Sequence, residues 1–244
     1  MGRWGHRLFE GDQDLDIASE INDTFEDKVP LSHLVFQTDM LAPNYCKVYY
    51  QTEAYAAELA QDVVDMRQKL DSGLGDKLFD IYRAKEHEGG SFGLGSGKYR
   101  LILVGALVMR TGAKIRDSDL QHLRELVPQI HSSPGFALPI FDAGFRDPGK
   151  AQFLAALDHY TPGTPRNYSE PSCFTCGKVE ADSGKVLLRC SRCQGAYYCD
   201  TECQRAHWKA HKPACIEPEK QQSLNVQADI PLLFFQTHQA RQMW

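Results

Sequence analysis

Seven of the eight cysteines in this 244-residue chain lie within one short segment, together with a histidine. They form four pairs of donors whose members are separated by two or three residues: Cys173 and Cys176, Cys190 and Cys193, Cys199 and Cys203, His211 and Cys215. Thiolates and imidazole nitrogens are donors that Zn²⁺ prefers, and eight of them fill two tetrahedral sites. Each site then holds four protein ligands and leaves no position for water or substrate. We therefore predict two structural zinc ions and no catalytic residue in this segment.

The cysteine-rich segment, residues 173–215, is too short and too poor in large apolar side chains to build an adequate core. Structural zinc contributes roughly 10–16 kcal/mol per site in finger peptides, so we predict that binding and folding are one event. The side-chain charge of +3 is brought to zero by seven thiolates and two zinc ions. Because a neutral module is a poor partner for phosphate backbones, we expect no direct binding of nucleic acid.

Two runs in this segment, Tyr197–Gln204 and His207–Cys215, closely resemble the MYND finger. The resemblance covers about 43 of the 244 residues, and all eight ligand positions are filled. It implies a cross-braced arrangement, in which alternating pairs share an ion. One zinc would then bind Cys173, Cys176, Cys199 and Cys203, and the other would bind Cys190, Cys193, His211 and Cys215. Spacing alone leaves consecutive pairing open.

Two other finger families have related patterns of ligands. The HIT finger has nearly the same ligand order, but the ending His207-Trp208-x-x-His211-Lys212 favours the MYND family. A RING finger places its histidine in the middle of the series. His207 lies one helical turn before His211 and could reach a metal from the same face, but the MYND family does not use this position. We therefore predict that His207 is not a ligand.

The resemblance implies a function in protein–protein interaction, because MYND fingers dock short proline-containing peptides, often in transcriptional co-regulators. Four side chains are candidate partner contacts, although each could instead pack within the very small core: Tyr197, Tyr198, Gln204 and Trp208. We expect a non-enzymatic adaptor of the nucleus or the cytoplasm. The alternative is a relative of the SET/MYND protein lysine methyltransferases. The sequence lacks the Asn-His-Ser-Cys-like motif of a SET domain and its second half beyond the finger.

Residues 1–160 are predicted to form a mainly helical domain of unknown function, with a net charge of −7. Apolar residues recur at three- and four-residue steps in three stretches, as on the buried face of a helix. These are Tyr55, Leu59, Val63, Met66 and Leu70; then Leu120, Leu123, Val127 and Ile130; and Ile17, Ile21 and Phe25. The longest apolar run, Leu101–Met109, predicts a buried helix or strand. Asp117 and Ser118 are candidate helix caps.

The opening Met1–Gly5 is similar to the start of a small uncharacterised family with a Met-Gly-x-Trp-Gly opening. The resemblance covers under 30 residues and implies no known activity. We predict that Trp4 and Phe9 anchor the core. Acidic residues at positions 12, 14 and 16 imitate a calcium loop, but Ile17 stands where glycine is required. We therefore interpret this stretch as a solvated, acidic helix start.

Prolines divide the chain further, since residues 131–150 predict an irregular loop and residues 161–172 a proline-rich linker to the finger. Residues 216–244 are predicted to be a tail, whose apolar run Ile230–Phe235 either docks back on the protein or binds a partner; we favour docking. No apolar run approaches the roughly 20 residues that span a bilayer, so we expect no association with a membrane. The expected partners are other proteins.

Overall fold

The computed structural model describes residues 2–25, 30–89, 96–133 and 144–220, and the first part of the chain is mainly helical, as predicted. Its helices are α1 (Asp12–Asn22), α2 (Asn44–Tyr49), α3 (Glu53–Lys69), α4 (Gly75–Ala84), α5 (Gly97–Thr111), α6 (Asp117–Leu126) and α7 (Asp147–Asp158). Short 3-10 turns cover Leu31–Leu34, Phe36–Thr38 and Val127–Gln129, and a π turn, Leu70–Leu74, joins α3 to α4. Strand β1 (Ser132–Ser133) pairs in parallel with β2 (Phe145–Arg146).

Helix α5 lies at the centre of this helical body. It packs against α1, α3, α4 and α6, and every residue from Leu101 to Thr111 is buried. The apolar run Leu101–Met109, which predicted a buried helix or strand, is thus part of a helix, and neighbouring helices cover it on all sides. Ser96 caps its start by accepting a hydrogen bond from the Tyr99 backbone N–H, and Gly112 ends it in the left-handed conformation. Serine and glycine are favoured at these two ends.

The predicted apolar stripes are the buried faces of α1, α3 and α6. In α3, for example, Tyr55, Val63 and Met66 are buried and Leu59 packs partly against the core. The predicted caps of α6 are wrong, because the helix begins at Asp117 itself and Arg116 occupies the cap position without a side-chain hydrogen bond. Among the described residues no helix is long and apolar enough to cross a membrane.

The first residues form a loop that closes on the start of α1. Phe9 is fully buried and Trp4 packs against the core, as predicted. The prediction of a solvated helix start is wrong for Asp14, which is fully buried. Its carboxylate accepts hydrogen bonds from both terminal nitrogens of Arg3, at 3.0 and 2.9 Å, and from the Tyr99 hydroxyl at 2.8 Å. The ion pair offsets the cost of burying the charge.

The irregular loop predicted for residues 131–150 is wrong at both of its ends. Residues 132–133 are β1, and the end of the stretch forms β2 and the first turn of α7, where Pro148 is tolerated because its missing N–H would have no partner there. Residues 161–165 are exposed, whereas Arg166, Tyr168 and Ser172 are buried. The division of the chain into domains and a linker stays a prediction, and the apolar run Ile230–Phe235 lies outside the described residues.

The cysteine-rich segment follows as a second small unit of structure. It contains α8 (Glu180–Ser183), β3 (Leu188–Arg189), β4 (Tyr197–Tyr198), α9 (Thr201–His211) and a 3-10 turn, Lys212–Ala214. Strands β3 and β4 are antiparallel, with Leu188 opposite Tyr198. A separate hydrophobic cluster forms its interior, from Phe174, Leu187, Ala196, Tyr198 and the buried cysteines.

Candidate metal centre

The first group of donors is brought together from two ends of the cysteine-rich segment. Cys173 and Cys176 lie in a turn closed by the Gly177 N–H, which donates to the Cys173 carbonyl at 2.8 Å. Cys199 follows β4, and Cys203 lies in the first turn of α9. Asp200 caps that helix by accepting a hydrogen bond from the Cys203 N–H at 2.8 Å. The four ligand atoms all lie within 4.8 Å of one another.

The second group combines the loop after β3 with the end of α9. Cys190 and Cys193 form a turn in which the Gln194 N–H donates to the Cys190 carbonyl at 2.9 Å. His211 is the last residue of α9, and the 3-10 turn that contains Pro213 returns the chain to Cys215. The four ligand atoms again lie within 4.8 Å of one another. This alternation of pairs is the cross-braced arrangement that the family resemblance implies.

The separations within both groups fit tetrahedral zinc. Ligands at the usual Zn–S and Zn–N distances would place two sulfurs about 3.8 Å apart, and a sulfur and a nitrogen about 3.6 Å apart. The Sγ atoms of Cys176 and Cys199 are 3.5 Å apart, and those of Cys190 and Cys215 are 3.7 Å apart. The Cys193 Sγ lies 3.5 Å from the His211 Nε2. Each group therefore fits one Zn²⁺, as predicted.

Without a cation, the crowded thiols of each group cannot all lose their protons. Despite burial, hydrogen bonds from the Cys193 backbone and from His211 lower the pKa of Cys190 to about 6, while other thiols have raised pKa values. Burial and the neighbouring Cys173 raise the pKa of Cys203 to about 12. Burial and a hydrogen bond with Cys190 raise the pKa of Cys215 to about 11. Several thiolates cannot accumulate at one place unless a cation balances them, so these thiol groups are arranged to bind metal.

The comparison with known families decides the nature of this segment. The family model of the MYND finger matches residues 173–215. The segment is a MYND finger. This finger is a zinc-binding module for protein interaction, and it makes up the C-terminal part of the described structure.

The relatives that match this chain do so over the region of the MYND finger. A SET and MYND domain-containing protein of Dictyostelium discoideum is 47% identical over 45 residues, which are 18% of this chain and 8% of that protein. Human Egl nine homolog 1 is 44% identical over 62 residues, 25% of this chain and 13% of its own length. The zebrafish (Danio rerio) N-lysine methyltransferase SMYD2-A is 32% identical over 80 residues, 29% of this chain and 18% of its own.

The matches leave most of each protein unaligned. The chain spans only 8% to 18% of the length of these relatives. No solved structure was found to match the chain.

His207 is half-buried on α9 and belongs to neither group of donors. Its Nδ1 lies 3.0 Å from the Tyr198 hydroxyl, and its ring packs against Phe174. The imidazole therefore joins α9 to β4. Sequence reasoning placed His207 outside the ligand set but did not find this partner, because the contact depends on how the helix folds back over the strand.

The four candidate partner contacts of the MYND finger differ in exposure. Tyr198 is buried, and its hydroxyl faces His207, so its side chain is part of the core. Tyr197 is half-buried on the opposite side of β4, beneath the Arg189 guanidinium. Gln204 is half-buried, whereas the large side chain of Trp208, one turn later on α9, is 42% exposed. Their roles as partner contacts stay predictions.

The contacts of the MYND finger with the helical body and with the segment that precedes the finger were not predicted from the sequence. Arg166 and Asp182 form a bidentate ion pair with N–O distances of 2.6 and 2.7 Å. Burial alone would raise the pKa of Asp182, but these hydrogen bonds hold it below its usual value. The His6 ring lies 5.2 Å from the Phe174 ring, and burial together with nearby Arg146 lowers the pKa of His6 to about 3. This contact therefore contains a neutral imidazole.

Proposed function

We propose that this protein is a non-enzymatic adaptor that docks short proline-containing peptides of partner proteins on its MYND finger. All eight donors of the finger belong to two four-ligand groups. Zinc bound in this way keeps no open position and serves structure rather than catalysis. What the zinc sites support is a recognition surface, and the exposed Trp208 is the observation that carries the proposal.

Trp208 is placed as an aromatic anchor would be. Tryptophan is among the residues that contribute most to binding at protein interfaces, where one face is buried by the partner. Gln204 lies four residues earlier, on the same face of α9, and adds a polar group that can donate and accept hydrogen bonds. An exposed tryptophan next to an amide suits an extended peptide that offers apolar rings and backbone carbonyls.

Strand β3 supplies a second part of the proposed groove. It is the edge strand of the two-stranded sheet described here, so its outer backbone groups face away from β4. Leu188 is 46% exposed and lies opposite Tyr198, on the face of the sheet that α9 covers. Extended peptides commonly bind along such an edge, with side chains in pockets on either side. Proline-rich segments are already extended and lose little entropy on binding.

The wider role belongs to the same proposal. MYND fingers often occur in transcriptional co-regulators, and we infer an adaptor of this kind, in the nucleus or the cytoplasm. The alternative is a relative of the protein lysine methyltransferases. It rests on the similarity to N-lysine methyltransferase SMYD2-A, of which this chain covers 18%. A methyl-transfer assay on the zinc-loaded chain, with S-adenosylmethionine and lysine peptides, separates the two. Sustained turnover would overturn the adaptor proposal.

Docking is tested with a library of fluorescent proline-containing peptides and the zinc-loaded full chain. Trp208→Ala should weaken binding of the best peptide by at least about tenfold, as expected for a central aromatic anchor. Val186→Ala is the matched control for loss of an exposed apolar side chain, because Val186 is 78% exposed in the same finger and precedes β3 rather than lying on α9. Zinc content and unfolding must be unchanged in both variants. Equal binding by the wild type and Trp208→Ala would show that the finger does not dock peptides on this face.

A further inference from the structure

Large apolar side chains cover the surface of α2 and of the turn that precedes it. They are Met40, Leu41, Tyr45, Val48 and Tyr49, with exposed fractions of 53%, 71%, 75%, 66% and 45%. None of the residues of α2 is buried in the described structure. Single exposed apolar residues are ordinary, whereas a contiguous group with polar surroundings is typical of a protein-interaction site. We call residues 39–49, with the exposed side of α3, the α2 surface.

Helix α2 contacts α3 at its C-terminal end, through Tyr49 and the following Tyr50. The Tyr49 hydroxyl donates a hydrogen bond to the Glu58 carboxylate at 2.6 Å. The rings of Tyr49 and Tyr50 lie 5.2 and 4.9 Å from the buried Tyr55 ring. The contacts use one edge of α2 and leave Tyr45 and Val48 facing outwards. Aromatic residues supported in this way supply contact area at a low cost in entropy.

Charge indicates which kind of partner this surface fits. The stretch from residue 39 to the end of α3 contains five acidic and three basic side chains, a net charge of −2: Asp39, Glu53, Glu58, Asp62, Asp65, Lys47, Arg67 and Lys69. The Lys47 ammonium already donates to the Met40 carbonyl at 2.6 Å. Acidic groups around apolar anchors attract a partner with basic groups around apolar side chains, and they repel nucleic acid and anionic lipid.

We propose that the α2 surface binds a basic, apolar peptide segment of a partner protein, at a site separate from the MYND finger. The apolar side chains of the segment cover Tyr45 and Val48. Its lysines and arginines face the carboxylates of α3. The chain thereby has two binding surfaces of different chemistry, one on the zinc module and one on the helical body, as a protein that connects two partners requires.

Selection from a library of random peptides displayed on phage tests this chemistry with the zinc-loaded full chain. The selected peptides should combine large apolar residues with a net positive charge. A higher salt concentration should weaken their binding, because exposed charges are screened. The double variant Tyr45→Ser with Val48→Ser should bind the best peptide at least about tenfold less tightly, since it removes the central anchors. The double variant Glu53→Gln with Asp65→Asn should weaken binding of the same peptide without changing the fold.

Matched controls separate this proposal from docking on the finger. Trp208→Ala and Val186→Ser both change exposed apolar residues of the finger, and each should leave binding of the selected peptide unchanged. Selection of neutral or acidic peptides would overturn the proposal, as would equal binding by the Tyr45 and Val48 variant. Sedimentation provides a further test: if the wild type self-associates and the Tyr45 and Val48 variant does not, a second copy covers the surface, and the proposal of a basic peptide partner fails.

Discussion

Asp14 is a carboxylate that lies inside the helical body, next to the guanidinium of Arg3. The two side chains are 0% and 2% exposed, and they meet in a bidentate pair to which the Tyr99 hydroxyl and the Phe9 N–H also donate. Arg3 reaches further, to the carbonyls of Arg7 and Gly144. Burial and the nearby Asp14 charge raise the pKa of Tyr99 well above its usual value, so Tyr99 stays a donor. The opening loop is thus fixed by one buried cation.

The change Arg3→Met should destabilise the protein by about 3–5 kcal/mol, because it leaves the buried Asp14 without its cation. Arg7→Met is the matched control in the same loop. The Arg7–Glu10 pair is partly exposed, and such pairs contribute about 1 kcal/mol or less. Urea unfolding of the zinc-loaded full chain measures both. Equal losses of unfolding free energy in the two variants would mean that Arg3 does not stabilise a charged Asp14.

Residue types alone predicted the zinc donors and left the roles of their neighbours open. A thiol in a Cys-x-x-Cys turn has few functions, so Cys173 and Cys176 could be assigned from the sequence. Tyr198 could be a partner contact or part of the core, and only its position beneath α9 places it in the core. The buried pairing of Asp14 was likewise hidden, because the partner Arg3 is brought close by a loop rather than by a helical repeat.

At the scale of structural elements, the MYND finger should bind zinc less tightly as the pH falls. Zinc binds thiolates. The pKa of Cys190 is lowered to about 6, but burial raises the pKa values of Cys203 and Cys215 to about 12 and about 11. Below the two raised values these thiols carry protons that zinc must displace, so binding releases protons. The apparent affinity should therefore fall by at least about tenfold between pH 8 and pH 7. Competition with a chromophoric chelator at each pH measures this, and a pH-independent affinity would contradict it.

Removal of zinc should unfold the finger and leave the helical body folded. The hydrophobic cluster of the finger is separate from the cluster around α5, so the two interiors do not depend on the same side chains. Metal contributes roughly 10–16 kcal/mol per site to such modules, more than their small cores supply. After chelation, amide hydrogen exchange should become fast in α9 and stay slow in α5. Simultaneous loss of protection in α5 would show that the body needs the finger.

Helices with a clear apolar period were predictable and their ends were not. The stripes of α3 and α6 follow from burial on one face, whereas caps depend on single backbone positions, and α6 begins without the predicted cap. The start of α7 was missed because Pro148 is usual both in loops and in the first turn of a helix. Paired strands of two residues, such as β3 and β4, have no period to detect.

At the scale of the whole molecule, the MYND finger is packed directly on the helical body. Phe174 lies against His6, the Arg166–Asp182 pair joins the segment before the finger to α8, and the turn at Gly177 lies on α7. Such contacts between distant parts of the chain leave no local pattern, so a proline-rich stretch predicts a linker whether or not its last residues are packed. The docking of the finger fixes which of its faces remain exposed to partners.

Gly177 is the position where this packing is tightest. Its φ is +76°, and a Cβ there would lie 1.9 Å from the Ala151 carbonyl oxygen of α7. Gly177→Ala should therefore force the finger away from α7, while Gly184→Ala, at φ +63° with open space around it, should add only backbone strain of about 1 kcal/mol. Amide exchange at Ala151 and the unfolding free energy measure the difference in zinc-loaded protein. Equal effects of the two variants would mean that the finger is not held on α7 in solution.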